Sequence, residues 1–209
     1  MSLPKYDLYI DGAVVPPASG EYFPTENPYS GEAWALIARG GKADVDAAVA
    51  AAHRAFSEGA WPNLTPSARG RLMRKLADLI IENAPRIAEI ECRDNGKLVA
   101  ECTAQVRYMG DYFHYYAGLA DKIESHVIPT DKVGVLAYTK YEAKGVVAII
   151  TPWNSPLTLT SWKLAPALAA GCTAVIKPSE FTSASMLEFA KLFAEFTSAS
   201  MLEFAKLFA

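Results

Sequence analysis

The sequence predicts an α/β protein with a parallel sheet, and three observations carry the prediction. Two short apolar runs, "VVAII" at 146–150 and "TAVIK" at 173–177, flank a helical segment closed by Gly171. That order is a strand–helix–strand unit, whose crossover is expected to be right-handed. Apolar residues recur at helical spacing over most of 44–119. The first 40 residues set short aromatic or β-branched pieces between Gly12, Pro16, Pro17, Gly20, Pro24, Pro28 and Gly31, the pattern of short strands joined by turns.

Composition fits this class. With 209 residues, 51% of them hydrophobic and 21% charged, the chain can bury a sizeable core as one large domain or one and a half. Its 20 basic and 23 acidic residues are interspersed and leave a net charge of −3, so no basic stripe for a nucleic-acid backbone is expected. The N-terminus lacks the pattern of a secretory signal, and no later stretch reaches the roughly 18 uncharged apolar residues of a membrane span. The chain reads as cytoplasmic, with no membrane partner. Three cysteines (Cys92, Cys102, Cys172) and three histidines (His53, His114, His126) stand in no ligand spacing, so no metal site and no disulfide framework are expected.

Element by element, "ADVDAAVAAAHRAF" predicts a helix with Asp44 as its cap and an apolar face of Val45, Ala48/Val49, Ala52 and Ala55/Phe56, ending near Gly59. Thr65 and Pro66 open a second helix whose face is Leu72, Leu76 and Leu79/Ile80. Pro85 ends it or begins a third, which stops at Asn95-Gly96. A fourth covers about 99–119. Two β-like runs either side of residues 129–132 predict an extended hairpin over 121–142, too small to stand alone. "VVAII" shows no alternation and predicts a strand buried on both faces. Pro166 lies inside the following helix and is a candidate kink. Finally, "EFTSASMLEFAKLFA" at 180–194 recurs letter for letter at 195–209. Two copies serve no short-repeat architecture, and the second is read as an artefact of assembly or processing rather than a helix over 199–209.

In an open parallel sheet, ligands settle beyond the carboxyl ends of the strands. One strand ends in Thr151-Pro152-Trp153-Asn154 and the other in Lys177-Pro178-Ser179-Glu180, so the two sets can line one crevice. A lysine and a glutamate there suit a diol, and an asparagine amide at the mouth of a helix suits developing negative charge on oxygen. Each residue has a structural reading as well: Glu180 as a solvated charge opening the next helix, Lys177 as surface, Asn154 as a turn residue or N-cap, Trp153 as core. No G-x-G-x-x-G is present, so residue types and spacing alone support an α/β domain with a possible nucleotide crevice.

The stretch "TPWNSPLTLTSWKLAPALAAGCTAVIKPSE", with "YIDG", "NPYSGE" and "DNGK" before it, closely resembles the NAD(P)-dependent aldehyde dehydrogenase superfamily over residues 5–194. The resemblance implies an incomplete Rossmann-like sheet with flanking helices. Residues 1–120 would be the largely helical part of the NAD-binding domain, 121–142 a ribbon of the oligomerisation domain, and 143–194 the first βαβ unit. It also implies oxidation of a small-molecule aldehyde to a carboxylic acid, with NAD rather than NADP, in a homodimer or homotetramer joined through the ribbon. By the same resemblance Asn154 supplies the oxyanion hole, Lys177 and Glu180 hold the adenosine ribose, and Ile150, Thr151, Pro152 and Trp153 line the cofactor. Trp162 matches a substrate-tunnel residue. Ser155 stands where many members have phenylalanine, and Leu159 where methionine is frequent; a serine at 155 is expected to widen the tunnel.

The same comparison implies that the cysteine nucleophile, the general base and the pyrophosphate turn lie outside these 209 residues. None of the three cysteines matches the nucleophile, and the chain alone is expected to be inactive. Two rival readings stand beside this one: a non-catalytic fragment acting as a nucleotide-binding or oligomerisation module, and a relative of the acyl-phosphate or acyl-CoA reductases.

Overall fold

The computed structural model describes the backbone of residues 2–198 and side chains as far as Phe193; residues 199–209 of the second repeat copy, read above as an artefact, lie outside the described residues. Five short strands come first: β1 (Lys5–Tyr6), β2 (Leu8–Ile10), β3 (Ala13–Val15), β4 (Tyr22–Asn27) and β5 (Glu32–Ala38). β2 and β3 form an antiparallel hairpin turned by Asp11-Gly12, both at positive φ (55° and 80°), as a two-residue turn matched to strand twist requires. The other three make a sheet in the order β1-β5-β4, with Pro24 on its edge strand, where a missing N–H is tolerated.

Four helices follow: α1 (Lys42–Ser57), α2 (Pro66–Glu82), α3 (Ala84–Asn95) and α4 (Val99–Leu119). Thr65 caps α2 as its residue type predicts, its hydroxyl accepting the Ala68 N–H at 3.2 Å. Gly96, at φ 76°, ends α3 in the left-handed conformation. Two expectations for α1 need correction. Its cap is Gly41, and Asp44 instead lies in the first turn, accepting the Gly41 N–H at 2.8 Å and the Ala18 N–H at 2.9 Å. Its buried face is Ala48, Ala51, Ala52 and Ala55, while Val45 and Val49 are exposed. In an alanine-rich helix several faces have similar hydropathy, and close backbone approach selects the one with the smallest side chains.

The ribbon consists of β6 (Val127–Ile128) paired antiparallel with β7 (Ala137–Tyr138). Then come β8 (Val146–Ile150), α5 (Pro156–Ala169), β9 (Thr173–Lys177) and α6 (Ala184–Ser198). β8 and β9 run parallel in register from Val146↔Thr173 to Ile150↔Lys177. β8 is not buried on both faces as its composition predicts: Ile149 is in the core, but Ala148 and Ile150 face solvent. A run of apolar residues records that a strand is built to be covered, and among the described residues α1 covers that side over β9, at Val175, and leaves Ala148 and Ile150 open.

The main core lies between α2, α3, α4, α5 and α6, with Met73, Leu76, Ile87, Met109, Phe113, Leu164, Leu168 and Phe189 among its fully buried side chains. Burying each contributes roughly 1.5–3 kcal/mol. α2 and α4 approach closely because Gly70 faces the Ala117 carbonyl: a Cβ at 70 would lie 2.5 Å from that oxygen. The core thus supports α5 from below and fixes where its first turn ends.

Candidate functional site

The register of β8 against β9 places both strand ends on one rim. Ile150 is level with Lys177, and the Thr151 N–H donates to the Lys177 carbonyl at 3.2 Å, carrying the parallel ladder one step beyond the strands. Thr151 is buried, and its hydroxyl has no hydrogen-bond partner. After it the chain turns outward, leaving Pro152, Trp153 and Asn154 exposed before α5 begins.

Trp153, 57% exposed, is therefore not a core residue. Asn154 is not the N-cap of α5; Ser155 is, followed by Pro156 in the first turn. Ser155 makes no side-chain cap hydrogen bond, so the first-turn N–H groups give the end of α5 next to Asn154 a positively polarised character. Ser155, Leu159 and Trp162 follow at i, i+4 and i+7, on one helical face. Along it exposure increases from the half-buried Ser155 and Leu159 to the exposed Trp162. Pro166 is carried within α5, where its missing N–H leaves the Trp162 carbonyl without the usual helical donor.

On the other strand, Lys177 and Glu180 form an exposed ion pair at 3.6 Å. A turn holds Glu180 in place: the Thr182 N–H donates to the Ser179 carbonyl at 3.2 Å and the Ser183 hydroxyl to the same carbonyl at 2.8 Å. α6 begins only at Ala184, so Glu180 belongs to this turn and does not open the helix. Its own backbone N–H first, and then the Lys177 ammonium, hold its carboxyl below the usual carboxylate range. A carboxylate acceptor beside an ammonium donor is a set that fits a vicinal diol.

The cysteines lie elsewhere. Cys172 precedes β9, at the end of the strand opposite Lys177, and is buried. Cys102 is buried in α4, and desolvation pushes its thiol up to about 12. Cys92, in α3, donates to the Lys97 carbonyl at 2.8 Å. Among the described residues, no three His, Cys, Asp or Glu side chains group as metal ligands, and no helix is long and apolar enough to cross a membrane.

Sequence reasoning missed a polar cluster behind the rim. Lys97 follows the α3 stop signal, where a lysine reads as solvated, yet its side chain is 18% exposed. Its ammonium meets Glu91 Oε1 of α3 at 3.5 Å, Gln105 Oε1 of α4, and the Ser155 hydroxyl at 3.0 Å. Nearby, Asp94 accepts the Thr25 hydroxyl at 3.0 Å and the Ala184 N–H at 2.8 Å, so it caps α6 from another element. These partners lie up to 90 residues apart, and no local pattern could have paired them.

The family model for the aldehyde dehydrogenase family matches residues 14–199. A (Z)-2-((N-methylformamido)methylene)-5-hydroxybutyrolactone dehydrogenase of Acinetobacter baylyi is 48% identical over 188 residues, 90% of this chain and 38% of that protein. The acetaldehyde dehydrogenase 2 of Cupriavidus necator is 44% identical over 184 residues, 88% of this chain and 36% of the relative. Among solved structures, an NAD-dependent aldehyde dehydrogenase from Sinorhizobium meliloti superposes with a TM-score of 0.90 at 35% identity, over 99% of this chain and 40% of that one. A betaine aldehyde dehydrogenase from Staphylococcus aureus, in complex with NAD+ and with a modified cysteine, gives 0.88 at 39% identity, over 91% of this chain and 39% of its own. The chain spans about 40% of the length of the proteins it matches.

Proposed function

Because this chain belongs to the aldehyde dehydrogenase family, we propose that its 209 residues are the front part of an oxidoreductase that converts an aldehyde to a carboxylic acid with NAD. The observation that carries this reading is the shared rim, with Asn154 beyond β8 and the Lys177–Glu180 pair beyond the adjacent β9.

On this reading Lys177 donates to, and Glu180 accepts from, the hydroxyls of the adenosine ribose, with Ile150, Thr151, Pro152 and Trp153 forming the wall beside it. The exposed faces of Ile150 and Trp153 suit that contact. NAD, when bound, supplies the hydride acceptor. Asn154 donates its side-chain amide to the aldehyde oxygen as a cysteine thiolate, contributed by the longer polypeptide, attacks the carbonyl carbon. The first-turn N–H groups of α5 add to that field. Leu159 and Trp162 line the approach for the aldehyde. The carboxylate of Glu180, held ionised, repels a 2′-phosphate and so favours NAD over NADP. The 209 residues alone are expected not to turn over aldehyde, because none of the three cysteines lies on this rim.

The test is an aldehyde panel assayed with NAD and NADP on the longer enzyme and on its Glu180→Ala variant. Aldehyde-dependent NADH formation, with the NAD preference reduced in the variant, is the expected result. Acyl-phosphate or acyl-CoA reduction without aldehyde oxidation would overturn the reading.

A further inference from the structure

We propose that Lys97 is a positioning residue whose ammonium, anchored on α3 and α4, fixes the Asn154 backbone through the hydroxyl of Ser155. The inference rests on the reading of Asn154 as oxyanion donor and adds a support that this reading does not contain. Lys97 donates to the Ser155 hydroxyl at 3.0 Å, and that hydroxyl donates onward to the Asn154 carbonyl at 2.7 Å. The alternative acceptor for the serine proton, Gln105 Oε1, is 3.5 Å away and already engaged by Lys97, so the shorter bond to Asn154 takes it. The three ammonium hydrogens are matched by three oxygens, those of Glu91, Gln105 and Ser155.

Both anchors are firm. Glu91 is fully buried in α3, and Gln105, half-buried on α4, is held by its own amide donating to Glu101 at 3.1 Å. Asn154 itself is exposed and lies between Trp153, also exposed, and a helix cap that makes no side-chain cap bond of its own. Without the lysine, the Ser155 hydroxyl would still reach the Asn154 carbonyl but would lose its charged anchor on α3 and α4. Ser155 thus acquires a role different from the widened tunnel expected of a small residue: its hydroxyl turns inward to the frame. A phenylalanine at 155 would have no group to accept from Lys97.

The experiment uses the longer enzyme with NAD bound, comparing Lys97→Met, Lys97→Arg, Ser155→Ala and the Lys97→Met/Ser155→Ala double variant. In Lys97→Met, kcat is expected to fall about tenfold or more with KM for NAD within about twofold, since misplacing a reacting group costs rate rather than cofactor binding. Amide exchange at Leu159, whose N–H donates to the Ser155 carbonyl at 3.0 Å, should accelerate while protection across α2 stays as it was. Lys97→Arg should recover part of the loss, and the double variant should be no worse than Lys97→Met, because both substitutions break one relay. Unaltered exchange at Leu159, or additive losses in the double variant, would overturn the inference. If Lys97→Met does not fold, Ser155→Ala decides alone, since it leaves Lys97 its contacts to Glu91 and Gln105. An unaltered exchange pattern in an active enzyme sinks the relay and spares the proposed function; an enzyme inactive on every aldehyde, with the exchange change present, does the reverse.

Discussion

Glu91 and Asp94 are carboxylates that the fold makes hard to ionise. Desolvation dominates for both, pushing Glu91 up to about 7 against the opposing pull of Lys97, and Asp94 up to about 6 against the N–H and hydroxyl donors it accepts from. Besides Lys97 and Asp94, the charge-capable neighbour facing Glu91 is Cys102 of α4, whose thiol stays protonated. Because the folded values lie above the unfolded ones, the native state keeps protons that the unfolded chain releases between about pH 4 and 7. Stability from these two groups is therefore present at low pH and declines as pH rises through that window. Thermal unfolding of Glu91→Gln and the parent between pH 5 and 7.5 should show a shallower decline in Tm for the variant; parallel curves would contradict the assignment. Asn154, Lys177 and Glu180 were legible as rim residues because each sets a polar side chain at or just beyond a strand end. Glu91, Lys97 and Gln105 were not, because their partners come from different helices and only the packed fold brings them together.

At the scale of elements, the sequence marks boundaries well wherever one residue type has a single physical use: Thr65-Pro66 opening α2, Gly96 closing α3, Asp11-Gly12 turning the first hairpin. It marks faces less well. α1 buries alanines and exposes valines because packing distance outweighs hydropathy there, and β8 carries the composition of a covered strand with one side open. The α2–α4 contact shows the same primacy of distance. Gly70→Ala would drive a methyl into the Ala117 carbonyl, backbone that cannot rotate away, so the helices must separate. The expected cost is about 1–3 kcal/mol in denaturant midpoint analysis; an unchanged midpoint would mean the two helices are not held at this separation.

At the scale of the whole molecule, the helical front part is a platform. It buries one side of α5 and leaves the β8–β9 rim and the ribbon facing outward. Val127, Leu136, Tyr138 and Tyr141 on or beside the ribbon are all more than 60% exposed, more apolar surface than a two-stranded hairpin ordinarily leaves in water. A partner subunit is the proposed cover. A Val127→Glu/Leu136→Glu variant of the longer enzyme should run as a smaller species than the parent in light scattering, and an unchanged mass would remove the ribbon from the interface. An interface role for the ribbon could not be read from local pattern, because an isolated hairpin of this composition looks the same whether it ends a sheet or meets a neighbour.

The proposed function depends on two strand ends sharing one rim, with Asn154 aimed at the reacting oxygen and Lys177 and Glu180 at the cofactor. The most direct measurement is turnover and NAD affinity of Asn154→Ala in the longer enzyme. Loss of one oxyanion donor should lower kcat by about 10²–10³-fold and leave the Kd for NAD nearly unchanged. Unimpaired turnover, or a loss confined to NAD binding, would contradict the account.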